Sequence, residues 1–179
     1  NNLGLALQEV RRFRDAIDAH TTAATIHQEL GDRHAEGTAW NNLGLALQEV
    51  RRFRDAIDAH TTAATIHQEL GDRHGEGMAW NNLGLALRQV RRFQDAIDAH
   101  RQDLRICQEL GDRHGEGMAW SNLGLALRQV RRFQDAIDAH TTAATAFREM
   151  GDRHAEQSSL MARMTGKYEF YCGRTTRWK

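Results

Sequence analysis

The sequence repeats itself every 40 residues, and this period narrows the fold more than any other feature. Residues 1–40 and 41–80 differ at two positions only, Ala35 against Gly75 and Thr38 against Met78. Residues 81–120 depart from the pattern mainly between Arg101 and Cys107. Residues 121–160 depart at their end, where Gln157-Ser158-Ser159-Leu160 replaces Gly-Met-Ala-Trp. A unit that returns at fixed spacing and cannot bury its apolar face alone must stack on its copies, so a one-dimensional array is expected. Copies this similar arose by recent duplication or by deliberate design.

Each repeat carries the marks of two helices. Gly71 suits a helix end in the left-handed conformation, and Asp72 offers a side-chain oxygen to cap the next helix. Glu76 falls in the first turn, where the helix dipole favours an acid. Trp80, Leu83, Leu87 and Val90 then recur at spacings of three and four, one face of a helix over about 72–90. Arg91-Arg92 is the break. Phe93, Ala96, Ile97, His100, Leu104, Cys107 and Leu110 mark the second helix in the same way. No proline interrupts the 179 residues. Hairpins are expected at about 32–71, 72–111 and 112–151. Gly84 and its copies Gly4, Gly44 and Gly124 sit inside a helix, where glycine costs about 1 kcal/mol relative to alanine. A cost repeated in each copy implies close helix approach, with Ala96 (Ala56 and Ala136 in the neighbouring copies) as the expected facing residue.

Composition excludes several classes. Lys plus Arg equals Asp plus Glu at 24 each, with signs alternating along the chain, which argues against a phosphate-tracking stripe and hence against nucleic acid. No apolar run approaches the roughly 20 residues of a membrane helix, and there is no signal peptide at the start. The two cysteines, Cys107 and Cys172, form neither a disulfide framework nor a metal-ligand spacing, which favours a cytoplasmic location. The neutral total hides a gradient. Residues 1–80 hold eight Arg against twelve acids, while residues 161–179 hold five basic residues against Glu169. This is either drift among solvated residues or a basis for head-to-tail attraction.

Trp80-x-x-Leu83-Gly84-x-x-Leu87, followed by Ala96-x-x-x-His100, resembles the tetratricopeptide repeat signature. The same positions recur as Trp40, Leu43, Gly44 and Ala56, and as Trp120, Leu123, Gly124 and Ala136. The resemblance covers residues 1–151. Leu87 stands where an aromatic is usual, His100 where Phe or Tyr is usual, and Gln108 where the family often has proline. Loss of that proline lets the second helix run on to Leu110 and accounts for a period of 40 instead of 34. The Gly-Asp-Arg-x-Gly-Glu-Gly junction resembles that of the long-helix subclass found in Pins-type polarity adaptors and in arrays of actinobacterial signalling ATPases. No phosphate-loop motif accompanies it. The resemblance implies an all-α fold, a right-handed superhelical array of antiparallel hairpins over residues 1–160, with a bacterial source and no enzymatic activity.

The resemblance also implies a site. In such arrays the first helix of each hairpin lines a concave groove. Here that face carries Asn41, Asn42, Leu45 and Gln48, then Asn81, Asn82, Leu85 and Arg88, then Asn122, Leu125 and Arg128. Asparagine both donates and accepts hydrogen bonds, so a row of them can hold an extended peptide, unless it merely bonds the neighbouring helix. Arg88 and Arg128 would favour acidic side chains on a protein or peptide partner. No lysine precedes Lys167, which disfavours the carboxylate clamp of chaperone-binding members.

Catalytic and metal chemistry is not expected, and neither is a cofactor. Asp95 and Asp98 recur in every copy beside arginines, as surface ion pairs do. Cys107 has no singular His or Asp partner and reads as a packed thiol. His60 and His67 lie seven apart, about 10 Å along a helix, too far to share an ion. His20, His60, His100 and His140 read as half-buried packing residues. His34, His74, His114 and His154 stand at helix starts, where surface hydrogen bonding is expected.

The ends are irregular. Asn1 matches Asn41, so the chain begins inside a first helix, as a piece of a larger signalling or regulatory protein would. A partial capping helix is expected over 152–164, followed by a basic, aromatic tail at 165–179 that is loosely ordered or bound. Open repeat ends make a homo-oligomer, assembled head to tail, the alternative to a peptide-binding scaffold.

Overall fold

A computed structural model describes residues 1–175, with side chains to Tyr168. It contains nine helices and no strand among the described residues: α1 (Asn2–Glu9), α2 (Phe13–Leu30), α3 (Arg33–Glu49), α4 (Phe53–Leu70), α5 (Arg73–Gln89), α6 (Phe93–Leu110), α7 (Arg113–Gln129), α8 (Phe133–Glu149) and α9 (Arg153–Thr175). Long helices thus alternate with the 40-residue period. Two compact units result, Asn1–Arg92 with α1–α5 and Phe93–Lys179 with α6–α9. Within each, consecutive helices pack side by side, and α3 also meets α5 while α7 meets α9.

Two kinds of punctuation end the helices. At Gly71 (φ 68°) the Gly71 amide donates to the Gln68 carbonyl at 3.1 Å and the Asp72 amide to the His67 carbonyl at 2.9 Å. This is the paired closure in which a left-handed residue satisfies two orphan carbonyls. Asp72 then caps α5 by accepting from the Gly75 amide at 3.0 Å. Gly31 with Asp32 and Gly111 with Asp112 repeat the arrangement. The second kind uses arginine. Arg51 adopts φ 61°, its amide donates to the Gln48 carbonyl and the Arg52 amide to the Leu47 carbonyl, both at 2.9 Å. A left-handed residue with a Cβ costs roughly 1–2 kcal/mol, and each Arg-Arg break carries that strain.

In the first unit small residues of the core pack around tryptophan rings. Trp40 packs against Ala23, Ala24 and Ala39, and also against Ala63, Ala64 and Ala79 alongside Trp80. A single tryptophan thereby joins α2, α3, α4 and α5, which is why one hairpin alone could not bury it. Leu43, Leu83 and Leu123 are buried, as are Ala56, Ala96 and Ala136.

The glycines have a different partner from the expected alanine. A Cβ on Gly44 would lie 2.4 Å from His60 Cε1, and one on Gly4 would lie 2.4 Å from His20 Cε1. In the second unit a Cβ on Gly124 would lie 2.8 Å from His140 Cε1 and Nε2. The gap in the helix therefore admits an imidazole ring. His20, His60, His100 and His140 are fully buried, not half-buried. At the far end α9 continues to Thr175, past Met164 where the sequence pattern placed its end. Met161, Met164 and Tyr168 are exposed on it, while Phe170, Tyr171 and Trp178 of the expected tail lie outside the described side chains.

Three alanine and glycine exchanges separate these effects. Gly44→Ala gains about 1 kcal/mol of helix propensity but overlaps a buried ring that has nowhere to go, so a net loss of about 2 kcal/mol is expected in denaturant unfolding. Gly71→Ala meets no atom within 4 Å and should cost only the backbone strain, about 1 kcal/mol. Arg51→Gly should change stability in the opposite sense, by about 0.5–1 kcal/mol.

Candidate functional site

The face of α3 and α5 that carries the asparagines is tied to the buried histidine. His60 Nδ1 lies 3.0 Å from Asn41 Oδ1, and His60 Nε2 lies 2.8 Å from Gln48 Nε2. Burial lowers the His60 pKa to about 4, so the ring is neutral at pH 7. A neutral ring carries one N–H. Nδ1–H donates to Asn41 and Nε2 accepts from the Gln48 amide, which fixes the tautomer. Asn41 Oδ1 also accepts from Asn82 Nδ2 at 3.2 Å, across from α5 to α3. Of the expected groove residues, Asn41 is buried and directs its oxygen inward, and Gln48 turns its amide to the ring. Asn82 does bond its neighbouring helix, and it lines open space as well.

That space is a cavity of about 510 Å³ in the first unit. Thr38, Asn41, Asn42 and Leu45 line it from α3, and Met78, Asn81 and Asn82 from α5. The second unit has a cavity of about 340 Å³ at the equivalent place between α7 and α9, lined by Met118, Ser121 and Asn122 among others. Leu85, Arg88, Leu125 and Arg128 line neither. Arg128 has another effect. Burial, and secondarily the Arg128 charge, bring His140 to about 4 as well.

One end of the first cavity is formed by His34, His67 and Asp72. His34 opens α3, His67 lies in the last turn of α4, and Asp72 caps α5. Asp72 Oδ2 lies 2.8 Å from His67 Nδ1 and 3.3 Å from His34 Nε2. The two rings meet edge to face at 5.8 Å. Burial holds His67 below its ordinary value, outweighing the Asp72 charge. Partial burial raises the Asp72 carboxyl, but the Gly75 amide and the two histidines outweigh it and leave its pKa lowered. These residues lie on or beside three different helices, so no spacing within one helix joins them. The signal the sequence held was positional: a histidine at the start of one hairpin and another just before the next Gly-Asp junction.

A second buried group also escaped sequence reading. Asp103 stands where Ala63 stands in the previous copy, and Ala63 is core. Burial pushes its carboxyl up to about 7. Cys107 Sγ lies 3.5 Å away, and burial, with Asp103, pushes that thiol up to about 12, so it is no thiolate nucleophile at neutral pH.

Alternating helices joined by Gly-Asp and Arg-Arg breaks, with a polar face above each first helix, define a helical-hairpin repeat protein. The chain belongs to the tetratricopeptide repeat family, whose pattern matches residues 1–69, 36–109 and 75–149. Members are generally protein-interaction scaffolds, typically without enzymatic activity. Among curated proteins none matches by sequence. Among solved structures the chain is similar to the apo form of RapI, with a TM-score of 0.84 and 14% identity over 94% of this chain and 47% of that one. It is also similar to a signal transduction ATPase with numerous domains from Pyrococcus horikoshii that carries a tetratricopeptide repeat sensor (TM-score 0.82, 15% identity, 92% of this chain, 26% of that one). A Rap protein complexed with Competence and Sporulation Factor matches with a TM-score of 0.71 and 17% identity over 97% of this chain and 50% of that one. The chain thus spans about half the length of either Rap protein. No helix among the described residues is long and apolar enough to cross a membrane.

The lowered histidines set an acid limit. Their folded-state pKa of about 4 lies below the ordinary 6.5, so the unfolded chain binds the extra protons first. The stability they contribute is complete above about 6.5 and is lost as pH falls toward 4. The thermal midpoint should fall over that window, and the His60 and His140 ring protons should titrate in NMR near 4. Asp103 acts in the opposite sense: raised from 3.8 to about 7, it stabilises below 4 and loses that contribution as pH rises to 7. Asp103→Asn should remove this component from the pH profile.

Proposed function

We propose that this array captures a segment of a protein or peptide partner on the face carrying Thr38, Asn42, Leu45, Met78, Asn81 and Asn82. The observation that carries this reading is the cavity these residues line, which recurs at the equivalent helix pair of the second unit. Its chemistry suits an extended backbone: amides that both donate and accept, beside Leu45 and Met78 for apolar contact. The fold likeness to a Rap protein solved in complex with Competence and Sporulation Factor supports ligand capture on this architecture. Arg88 and Arg128, on the same helix face, would add a preference for acidic side chains in the partner. Peptides selected from a random display library on the immobilised chain should bind about tenfold or more weakly to Asn82→Ala with Met78→Lys, at unchanged helicity. Selection of no peptide, or of peptides indifferent to both changes, would count against the groove.

A second reading is self-association. Residues 1–80 hold eight Arg against twelve acids, while residues 161–179 hold five basic residues against Glu169, so the two ends of the sequence are opposite in sign and would attract between molecules. Light scattering against concentration should show growth that weakens in salt. A monomer at every concentration would remove this reading.

A further inference from the structure

We propose that His34, His67 and Asp72 form a binding site for one divalent transition-metal ion of the zinc class, with an open coordination position facing the first cavity. The inference does not depend on the peptide-binding reading.

Two imidazoles and one carboxylate are the donor set that zinc and its neighbours prefer, and three protein ligands leave a tetrahedral ion one free position. A tetrahedral ion with bonds of about 2.0–2.1 Å holds its ligand atoms roughly 3.3 Å apart. Asp72 Oδ2 stands 2.8 Å and 3.3 Å from the two ring nitrogens, and all three atoms lie within 4.8 Å of one another. Closing the widest separation requires a small rotation of His34, which at 69% exposure is free to make it. The other two ligands are already fixed. His67 is buried in the hairpin, and Asp72 Oδ1 is held by the Gly75 amide at 3.0 Å, which aims Oδ2 at the rings. A backbone donor orienting a ligating carboxylate is the usual outer support of a metal site.

The repeats supply internal comparisons. Gly75 is one of two positions at which residues 41–80 differ from residues 1–40. A Cβ there would lie 2.5 Å from both His67 Nδ1 and Asp72 Oδ2. At the preceding junction the copy is Ala35, and His27 Nδ1 stands 3.8 Å from Asp32 Oδ2. In the second unit Phe147 takes the place of His67 and meets His114 at the same 5.8 Å ring distance. Packing at this position is therefore satisfied by a hydrocarbon ring, and the nitrogens of His67 are not required for it. A simple imidazole–carboxylate hydrogen bond would account for His67 and Asp72 but not for His34 Nε2 converging on the same oxygen.

An ion here would join the start of α3, the end of α4 and the cap of α5. Its fourth position would take water or a donor from a molecule in the cavity.

The test is a titration of the full chain, untagged and stripped with a chelator, with Co2+ as an optical probe and Zn2+ as competitor. One equivalent of Co2+ with the strong visible absorption of low coordination number is expected, displaced by Zn2+. His34→Ala, exposed and harmless to packing, and His67→Phe, the residue native at 147, should each abolish it without loss of helicity. Gly75→Ala should weaken it ~10-fold or more. His27→Phe at the Ala35 junction should leave it unchanged. Absence of a one-equivalent transition, or a transition that survives His34→Ala and His67→Phe, overturns the proposal; the first would leave only a hydrogen-bonded His–Asp cluster.

Discussion

The fold depends on a ring pressed into a gap. Gly44 gives up helix propensity so that the His60 imidazole can lie against the α3 backbone, and the same exchange recurs at Gly4 with His20 and Gly124 with His140. The close approach brings α3 and α4 together, which lets alanines such as Ala39, Ala63 and Ala64 make a core without large side chains. A phenylalanine, usual at this position in the family, would fill the same space. Histidine adds two polar atoms in a dry interior. At His60 Asn41 and Gln48 supply the partners, and that demand reaches the surface, because both belong to the face that lines or borders the first cavity; at His140, where Ser121 and Arg128 hold the corresponding positions, neither ring nitrogen has a hydrogen-bond partner. Core and candidate site are therefore chemically continuous, and a change in Asn41 would disturb both.

The bounds of the helices inside the repeats were legible in the sequence almost residue by residue, while the end of α9, outside the repeat pattern, was not. The second helix was expected from Phe93 to Leu110 and occupies those residues, because Phe93 and Gly111 punctuate it and its apolar spacing is regular. The caps at Asp72 and Asp112 were legible for the same reason, since capping is local chemistry. What periodicity does not encode is which neighbour a face meets. It showed that Gly84 and its copies need a close partner but favoured the alanine over the histidine four residues on. The Asn41–His60 bond joins two helices, and the His34–His67–Asp72 cluster joins three. Such convergence is set by how successive hairpins stack, which no spacing within one helix reports. Asp103 was not singled out in the sequence, although it stands at the position of Ala63 in the previous copy, which is buried.

The differences between copies carry the individuality of this chain. Thr38 becomes Met78 and Met118, which adds apolar surface to the cavities. Gln48 becomes Arg88 and Arg128, and the arginine's charge bears on the buried ring below it, as at His140. Ala35 becomes Gly75, and His67 and Asp72 lie a full ångström closer than their copies. The invariant residues make the copies stackable, while these few exchanges give each junction its own chemistry.

The identity of α2 and α4 has a consequence for how the chain folds. Their 18 residues are the same in sequence, so a newly formed α3 finds two equivalent surfaces to pack against. Residues 1–40 and 41–80 differ only at residues 35 and 38 against 75 and 78. Local sequence gives no preference between those two surfaces, and the choice falls to the few positions at which the copies differ.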